Sequence, residues 1–197
     1  MAQVAQQHPP QATSEYIKAL EDPERDKWQQ PDAVVDSLEL RLGDEVADLG
    51  AGAGYFTLRL AQAVGPMGRV YAVDIDPQML AYIDRRVQEE KLENVQTILA
   101  DPHDPKLGSS SVDMIFMCNV LHHISDREKY YPLLARALRP GGRLVDIDFR
   151  QGKLPCGPSV EVKIAKKTVI KEVEPFGFRL VQEFDFLKYQ YFLIFEH

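Results

Sequence analysis

Apolar residues in this chain fall into two registers. Short runs rich in Val, Ile and Leu alternate with longer stretches in which apolar side chains recur every third or fourth position. That alternation predicts strands separated by helices, hence a largely parallel sheet. The segments EVADL, RVYAVDID, VQTILA, VDMIFMCNV and RLVDIDFR read as five successive strands. Between the first two, a helix is predicted over 55–64 and stopped by Gly65 and Pro66. Asp76 before Pro77 is a strong helix start, an N-cap carboxylate followed by a proline whose missing N–H costs nothing in the first turn. In the helix that follows, Met79, Leu80, Ile83 and Val87 form one apolar stripe with charges opposite, which marks core. Ser125 and Glu128 have capping-box spacing and start a further helix, which RPGG is expected to end. QGKLPCGPSV, broken repeatedly by Gly and Pro, reads as a rim loop. A last helix over 162–174 leads into FRLVQEFDFL and YQYFLIFEH, two aromatic-rich strand patterns that suggest a hairpin.

The start of the chain has a different texture. Residues 1–13, rich in Gln, Pro and Ala and without apolar periodicity, are expected to be a flexible tail. Residues 14–20 are compatible with a short helix, the charged run EDPERDKWQQ follows, and Pro31 opens another helix that Gly43 ends. Because residues 14–42 precede the sheet, they are free to fold over its ligand edge, with residues 43–197 as the core domain. Tyr16 and Trp28 are the candidates for closing the site and touching substrate; the alternative for Trp28 is packing on the sheet edge.

With 197 residues, 45% of them hydrophobic and 27% charged, the chain is the size of one domain with a full core. A net charge of -7 argues against an electrostatic grip on nucleic acid. Cys118 and Cys156 lack metal-ligand or redox spacing, so no metal is expected and a reducing, cytoplasmic compartment is the simpler reading. The Gln/Pro-rich start leaves a periplasmic protein open if a signal peptide has been removed from it. No stretch is long and apolar enough to span a membrane.

The candidate chemistry begins where the first strand runs into Gly50, Gly52 and Gly54. Glycines there let the chain turn sharply and let a ligand lie against the main chain, with helix-start N–H groups facing the same crevice. Asp74 ends the second strand about 20 residues beyond, the spacing at which a carboxylate reaches ribose hydroxyls. Together these describe a nucleoside site. The set VADLGAGAG, Asp74, ADPHD, VDMIFMCNVLHHI and LRPGGRLVDID resembles the class I S-adenosylmethionine (SAM)-dependent methyltransferases of the ubiquinone/menaquinone-biosynthesis type. A dinucleotide fingerprint would place its third glycine where Tyr55 stands, which counts against an oxidoreductase using NAD(P).

The resemblance implies an α/β Rossmann-like fold with a seven-stranded, mostly parallel sheet in the order 3-2-1-4-5-7-6, helices on both faces and a C-terminal antiparallel hairpin. It implies SAM as cofactor, S-adenosylhomocysteine as product, and cofactor contacts from Asp48, Gly50, Ala51, Gly52, Gly54, Asp74, Ile75, Asp101, Pro102, Cys118 and Asn119. Asp101 would accept from the adenine amino group, or be an ordinary turn residue before Pro102. Residues 118–123 sit at the carboxyl end of a central strand, where open parallel sheets carry their ligands. His122 and His123 are the candidate bases for an acceptor that must lose a proton. Asp148, near the end of the fifth strand, is a candidate substrate contact, with a backbone-bonded carboxylate as the alternative. Enzymes of this fold that methylate bases or glutamine often carry a polar residue, two prolines and an aromatic where this chain has Asn119, Val120, Leu121 and His122. A small-molecule acceptor is therefore expected, on a monomer or homodimer. A SAM-binding interaction module without catalysis is the alternative from a different class.

Overall fold

The computed structural model describes residue 15 and residues 17–197; Tyr16 and the predicted tail lie outside the described residues. Seven strands form one sheet in the order β3-β2-β1-β4-β5-β7-β6. They are β1 Glu45–Leu49, β2 Arg69–Asp74, β3 Val95–Leu99, β4 Val112–Cys118, β5 Leu138–Phe149, β6 Arg179–Phe184 and β7 Gln190–Glu196. β1 to β5 pair in parallel, and β7 runs antiparallel to both β5 and β6. The helices are α1 Glu24–Gln29, α2 Pro31–Ser37, α3 Thr57–Val64, α4 Pro77–Glu89, α5 Arg127–Ala137 and α6 Lys166–Val173. Among the described residues no helix is long and apolar enough to cross a membrane.

Period-two alternation assigns each strand residue to one of two cores. Ala47, Ile115, Leu144 and Phe195 belong to the core that takes Tyr131 and Leu134 of α5 and Val169 of α6. Val46, Phe116, Val145 and Ile194, one position displaced, belong to the core that takes Val34 of α2 and Leu60 of α3. Met79, Leu80 and Ile83 of α4 are buried as their stripe predicted, and Asp76 caps that helix by accepting from the Gln78 N–H at 2.8 Å.

Three local expectations need correction. Ser125 does not cap α5: the helix begins at Arg127 with Asp126 in the cap position and no side-chain cap bond. RPGG does not terminate that helix but lies within β5, whose pairing jumps from Val112↔Leu138 to Met114↔Arg143 across an irregularity. The strand accommodates Gly141 at φ 75°, with the Gly141 N–H donating to the His197 carbonyl at 3.1 Å. The last helix is broken as well, a 3₁₀ turn at Val160–Val162 preceding α6.

The turn after β1 holds three left-handed glycines, Gly50, Gly52 and Gly54, at φ 72°, 54° and 78°. Their surroundings differ. A Cβ on Gly50 would stand 2.4 Å from Val120 Cγ2, and one on Gly54 would stand 3.0 Å from Ile83 Cγ1, both inside packed structure. One on Gly52 would meet, among the described residues, only Leu20 Cδ1, at 3.2 Å. Gly50→Ala is therefore expected to destabilise by about 2–4 kcal/mol and Gly52→Ala by about 1–2 kcal/mol, the difference being overpacking on top of the common left-handed strain. Chemical denaturation of the two variants checks this, and equal losses would contradict it.

Candidate active site

β1 and β4 are neighbours, so the segments that leave their carboxyl ends face one crevice. The glycine turn is braced from β2: Gly50 and Ala51 donate N–H bonds to the Val73 carbonyl at 2.8 and 3.1 Å, and Gly52 donates to Asp74 Oδ2 at 2.8 Å. Asp74 Oδ1 accepts from the Asp76 N–H at 2.9 Å. Asp74 thus shapes the turn in addition to presenting a carboxylate there, and burial raises its pKa above the usual range. Asp48, the last inward residue of β1 on the α2–α3 side, is buried and accepts from the Thr57 hydroxyl at 2.6 Å. Burial, aided by repulsion from Asp74 and opposed by the Thr57 bond, pushes it up to about 7.

A cavity of about 70 Å³ lies here, and its lining includes Asp48, Gly50, Ala51, Gly52, Cys118 and Asn119. Burial pushes the Cys118 thiol up to about 12, so it stays protonated near neutral pH and fills space as a strand residue. Asn119 takes a left-handed φ of 62°, and its Oδ1 accepts from Gln190 Nε2 at 2.7 Å. Gln190 Oε1 in turn accepts from Gln29 Nε2 at 2.8 Å, a chain of amides whose two glutamines are fully buried. Ile75 is 49% exposed just past Asp74. Gly54 faces Ile83 and not the cavity. Asp101 is exposed and caps its own turn, Oδ1 accepting from the His103 N–H at 2.9 Å. Pro102 lines a separate recess of about 330 Å³ with His103 and Tyr130.

The second group of residues lies on the α5–α6 side of the sheet. Leu121–His123 forms a 3₁₀ turn directly after β4, placing His122 Nδ1 2.9 and 2.8 Å from the two oxygens of Asp148. The two side chains are only 3% and 1% exposed. Asp148 Oδ1 also accepts from the Phe149 N–H at 2.7 Å and Oδ2 from the His122 N–H at 3.4 Å, so two backbone donors aim the carboxylate at the imidazole. The His123 ring lies 4.1 Å from that of His122, tilted by 42°, and the residue is exposed. Asp146, two positions before Asp148 on the same face of β5, is fully buried with neither oxygen in a well-formed hydrogen bond. Burial, then the charge of Asp148, raises it well above the carboxylate range. Of the predicted residues, the structure joins His122 with Asp148 and brings Asp48, Gly50, Ala51, Gly52, Cys118 and Asn119 to one cavity next to Asp74, while Gly54, Asp101 and Pro102 lie apart from it.

The segment before the sheet lies on this edge. Leu20 and Arg25 line the 70 Å³ cavity, and Trp28 packs on Phe149 and Tyr189 at ring distances of 5.8 and 6.3 Å. Arg25, Gln29 and Gln190 were not picked out by sequence reasoning. The one available signal was a Trp inside a charged run, which marks a docked segment, whereas the partnership of Gln29 with Gln190 spans 161 positions. Among the described residues there is no group of three or more His, Cys, Asp or Glu placed to hold a metal ion.

A doubly wound sheet in this strand order, with a glycine turn and an acidic residue ending β2, defines a class I methyltransferase fold. The methyltransferase domain model matches residues 46–142. A SAM-dependent methyltransferase structure from Aquifex aeolicus superimposes with a TM-score of 0.87 at 30% identity, covering 93% of this chain and 97% of that one. The chain belongs to the SAM-dependent methyltransferase family, and its cofactor is SAM. Among curated relatives, it is 32% identical over 121 residues to the ubiquinone/menaquinone biosynthesis C-methyltransferase of Pasteurella multocida, covering 58% of this chain and 43% of that one. It is 33% identical over 109 residues to the arsenite methyltransferase of Halobacterium salinarum, covering 55% of this chain and 28% of that one. The chain thus spans less than half the length of either curated relative.

The residues present fit the cofactor. Among the described residues, Gly52 leaves room that only Leu20 of the N-terminal segment enters, the Asp74 carboxylate is bonded to the Gly52 N–H, and the buried Arg25 Nε lacks a partner. The acidic set also makes a prediction about stability. Asp48 shifts from 3.8 unfolded to about 7 folded, so its contribution is fully present below about pH 4 and is lost as pH rises to about 7. The loss is at most about 4 kcal/mol. Asp48→Asn, which keeps an acceptor for Thr57, should flatten the fall in Tm over that window. An unchanged pH slope would remove Asp48 as its source.

Proposed function

We propose that this methyltransferase moves the methyl group of SAM to a small-molecule acceptor by direct in-line displacement, with His122 receiving the acceptor's proton. The observation that carries this reading is the buried contact of His122 Nδ1 with Asp148, 2.8 Å, immediately after β4. A carboxylate on Nδ1 holds the imidazole proton there and leaves the lone pair on Nε2. Nε2 takes the proton from an acceptor hydroxyl, thiol or acidic C–H, and Asp148 offsets the positive charge that the ring gains. The bound cofactor supplies an electrophilic methyl on a sulfonium, so a single attack by the acceptor suffices without a covalent enzyme intermediate. The protonated Cys118 thiol agrees with such a direct transfer.

Asp48, the turn Gly50 to Gly52, Asp74 and Asn119 are the residues proposed to hold the cofactor, with Ile75, Asp101 and Pro102 on the side of its adenine. Residues 15–42 are proposed as the cover of the site, and Trp28, Phe149 and Tyr189 as the aromatic wall facing the acceptor. The names of the curated relatives, a quinone-biosynthesis C-methyltransferase and an arsenite methyltransferase, support a small acceptor.

Turnover of a panel of small phenols, thiols and activated carbon acids with labelled SAM tests the activity; S-adenosylhomocysteine binding without turnover of any of them would favour the interaction module. On the acceptor found, His122→Ala is expected to lower kcat by about 10²–10⁴ with S-adenosylhomocysteine affinity intact. Asp148→Asn should lower kcat as well, because an amide can hold the wrong tautomer. Near wild-type kcat/KM in both variants would overturn the assignment of the base.

A further inference from the structure

Arg25 is the only basic side chain among the described residues that line the glycine-turn cavity. Its guanidinium carbon lies 3.9 Å from the centre of the Tyr55 ring, and its Nη1 donates to the Leu20 carbonyl at 3.0 Å. Its Nε is buried with no acceptor among the described residues. A desolvated guanidinium N–H without a partner is costly, and an anionic ligand reverses that cost; Arg presents a planar fork that matches a carboxylate. No other described residue of the lining carries a positive charge, its polar side chains being Asp48, Tyr55, Cys118 and Asn119, and the nearby Asp74 carboxylate is bonded to the Gly52 N–H. The sole carboxylate of the cofactor is on its methionine part.

Resting on the assignment of SAM as cofactor, we infer that Arg25 is the cation that receives the cofactor's α-carboxylate, and that through it the segment from Leu20 to Gln29 closes over the site as a ligand-locked strap. Leu20 lies directly over Gly52, and the 70 Å³ left beneath the segment is far below the ~300 Å³ at the lower end of ligand sites, so the strap must lift for the ligand to enter. It is hinged to α4 by Glu21, which pairs with Arg86 at 2.9 Å and accepts from the Tyr82 hydroxyl. Arg25 and Trp28 lie one turn apart on the same segment, so a carboxylate that draws Arg25 down also sets Trp28 against Phe149, the neighbour of Asp148. Loading of the cofactor would thereby complete the acceptor's aromatic wall.

Calorimetric titration of wild type and Arg25→Gln with S-adenosylhomocysteine and with its decarboxylated analogue, which keeps the ammonium, tests this. Wild type is expected to bind S-adenosylhomocysteine about 10- to 100-fold more tightly than the analogue. Arg25→Gln should lose most of that ratio by weakening S-adenosylhomocysteine alone. Because both ligands are read on the same protein, a general loss of fold would lower both and leave the ratio unchanged. An unchanged ratio in an Arg25→Gln variant that binds the analogue as wild type does overturns the role of Arg25 while leaving the cofactor assignment standing; wild type that binds neither ligand would overturn the cofactor assignment itself.

Discussion

The bonds that tie the glycine turn to the end of β2 are the constraint on which the rest of the site depends. Gly50 and Ala51 share the Val73 carbonyl, and Gly52 is held by the Asp74 carboxylate. These contacts extend the parallel pairing of β1 and β2 by three residues past the last strand position, so the turn is as fixed as the sheet. Both oxygens of that carboxylate accept backbone N–H groups, Oδ2 from Gly52 and Oδ1 from Asp76. Its raised pKa is the cost of burial that its two N–H donors only partly offset. One residue thus both shapes the turn and sets the charge beside it, in keeping with the cofactor role proposed for it.

The remaining acids follow a common logic. Asp48, Asp146 and Asp148 are all buried in the central strands, where apolar residues would stabilise the fold more. Asp148 is compensated by His122 and a backbone N–H, Asp48 by Thr57, and Asp146 by no well-formed bond. Two carboxylates on one face of β5 also repel each other, which raises Asp146 further. The strand gives up stability to hold a carboxylate against His122.

Much of this was legible in the sequence where the determinants are local. Short apolar runs marked the strands, Asp76 and Pro77 marked the start of α4, and the three glycines with Asp74 marked the cofactor edge; the family resemblance supplied the sheet order. Local signals failed where a tertiary pairing outweighed them. RPGG has the composition of a helix stop followed by a turn, but Gly141 and Gly142 exchange hydrogen bonds with His197, and that pairing draws the segment into β5. Ser125 has the spacing of a cap, yet the chain is still leaving the Leu121–His123 turn that the His122–Asp148 contact fixes. Arg25 carried no local signal, because its meaning depends on a cavity built by β1 and β4.

The two faces of the sheet divide the chemistry, and this explains why the segment before β1 has to be where it is. Asp48 and Cys118 project to the side covered by α2 and α3, while Asp148 projects to the side of α5 and α6, a consequence of strand alternation alone. A group held at the glycine turn and a base held on Asp148 can meet only over the sheet's carboxyl edge, and an open edge admits water, itself a competing nucleophile. The sheet cannot close its own edge, since its strands end there. A chain segment that arrives from the α2 side is the nearest element able to do so. Gln29 anchors it to Gln190 of β7, whose amide holds Asn119 in the same line of hydrogen bonds. The proposed cover is thus pinned by buried amides at one end and by Glu21 at the other, with Arg25 between them, so the movement inferred for it would leave either face of the core undisturbed.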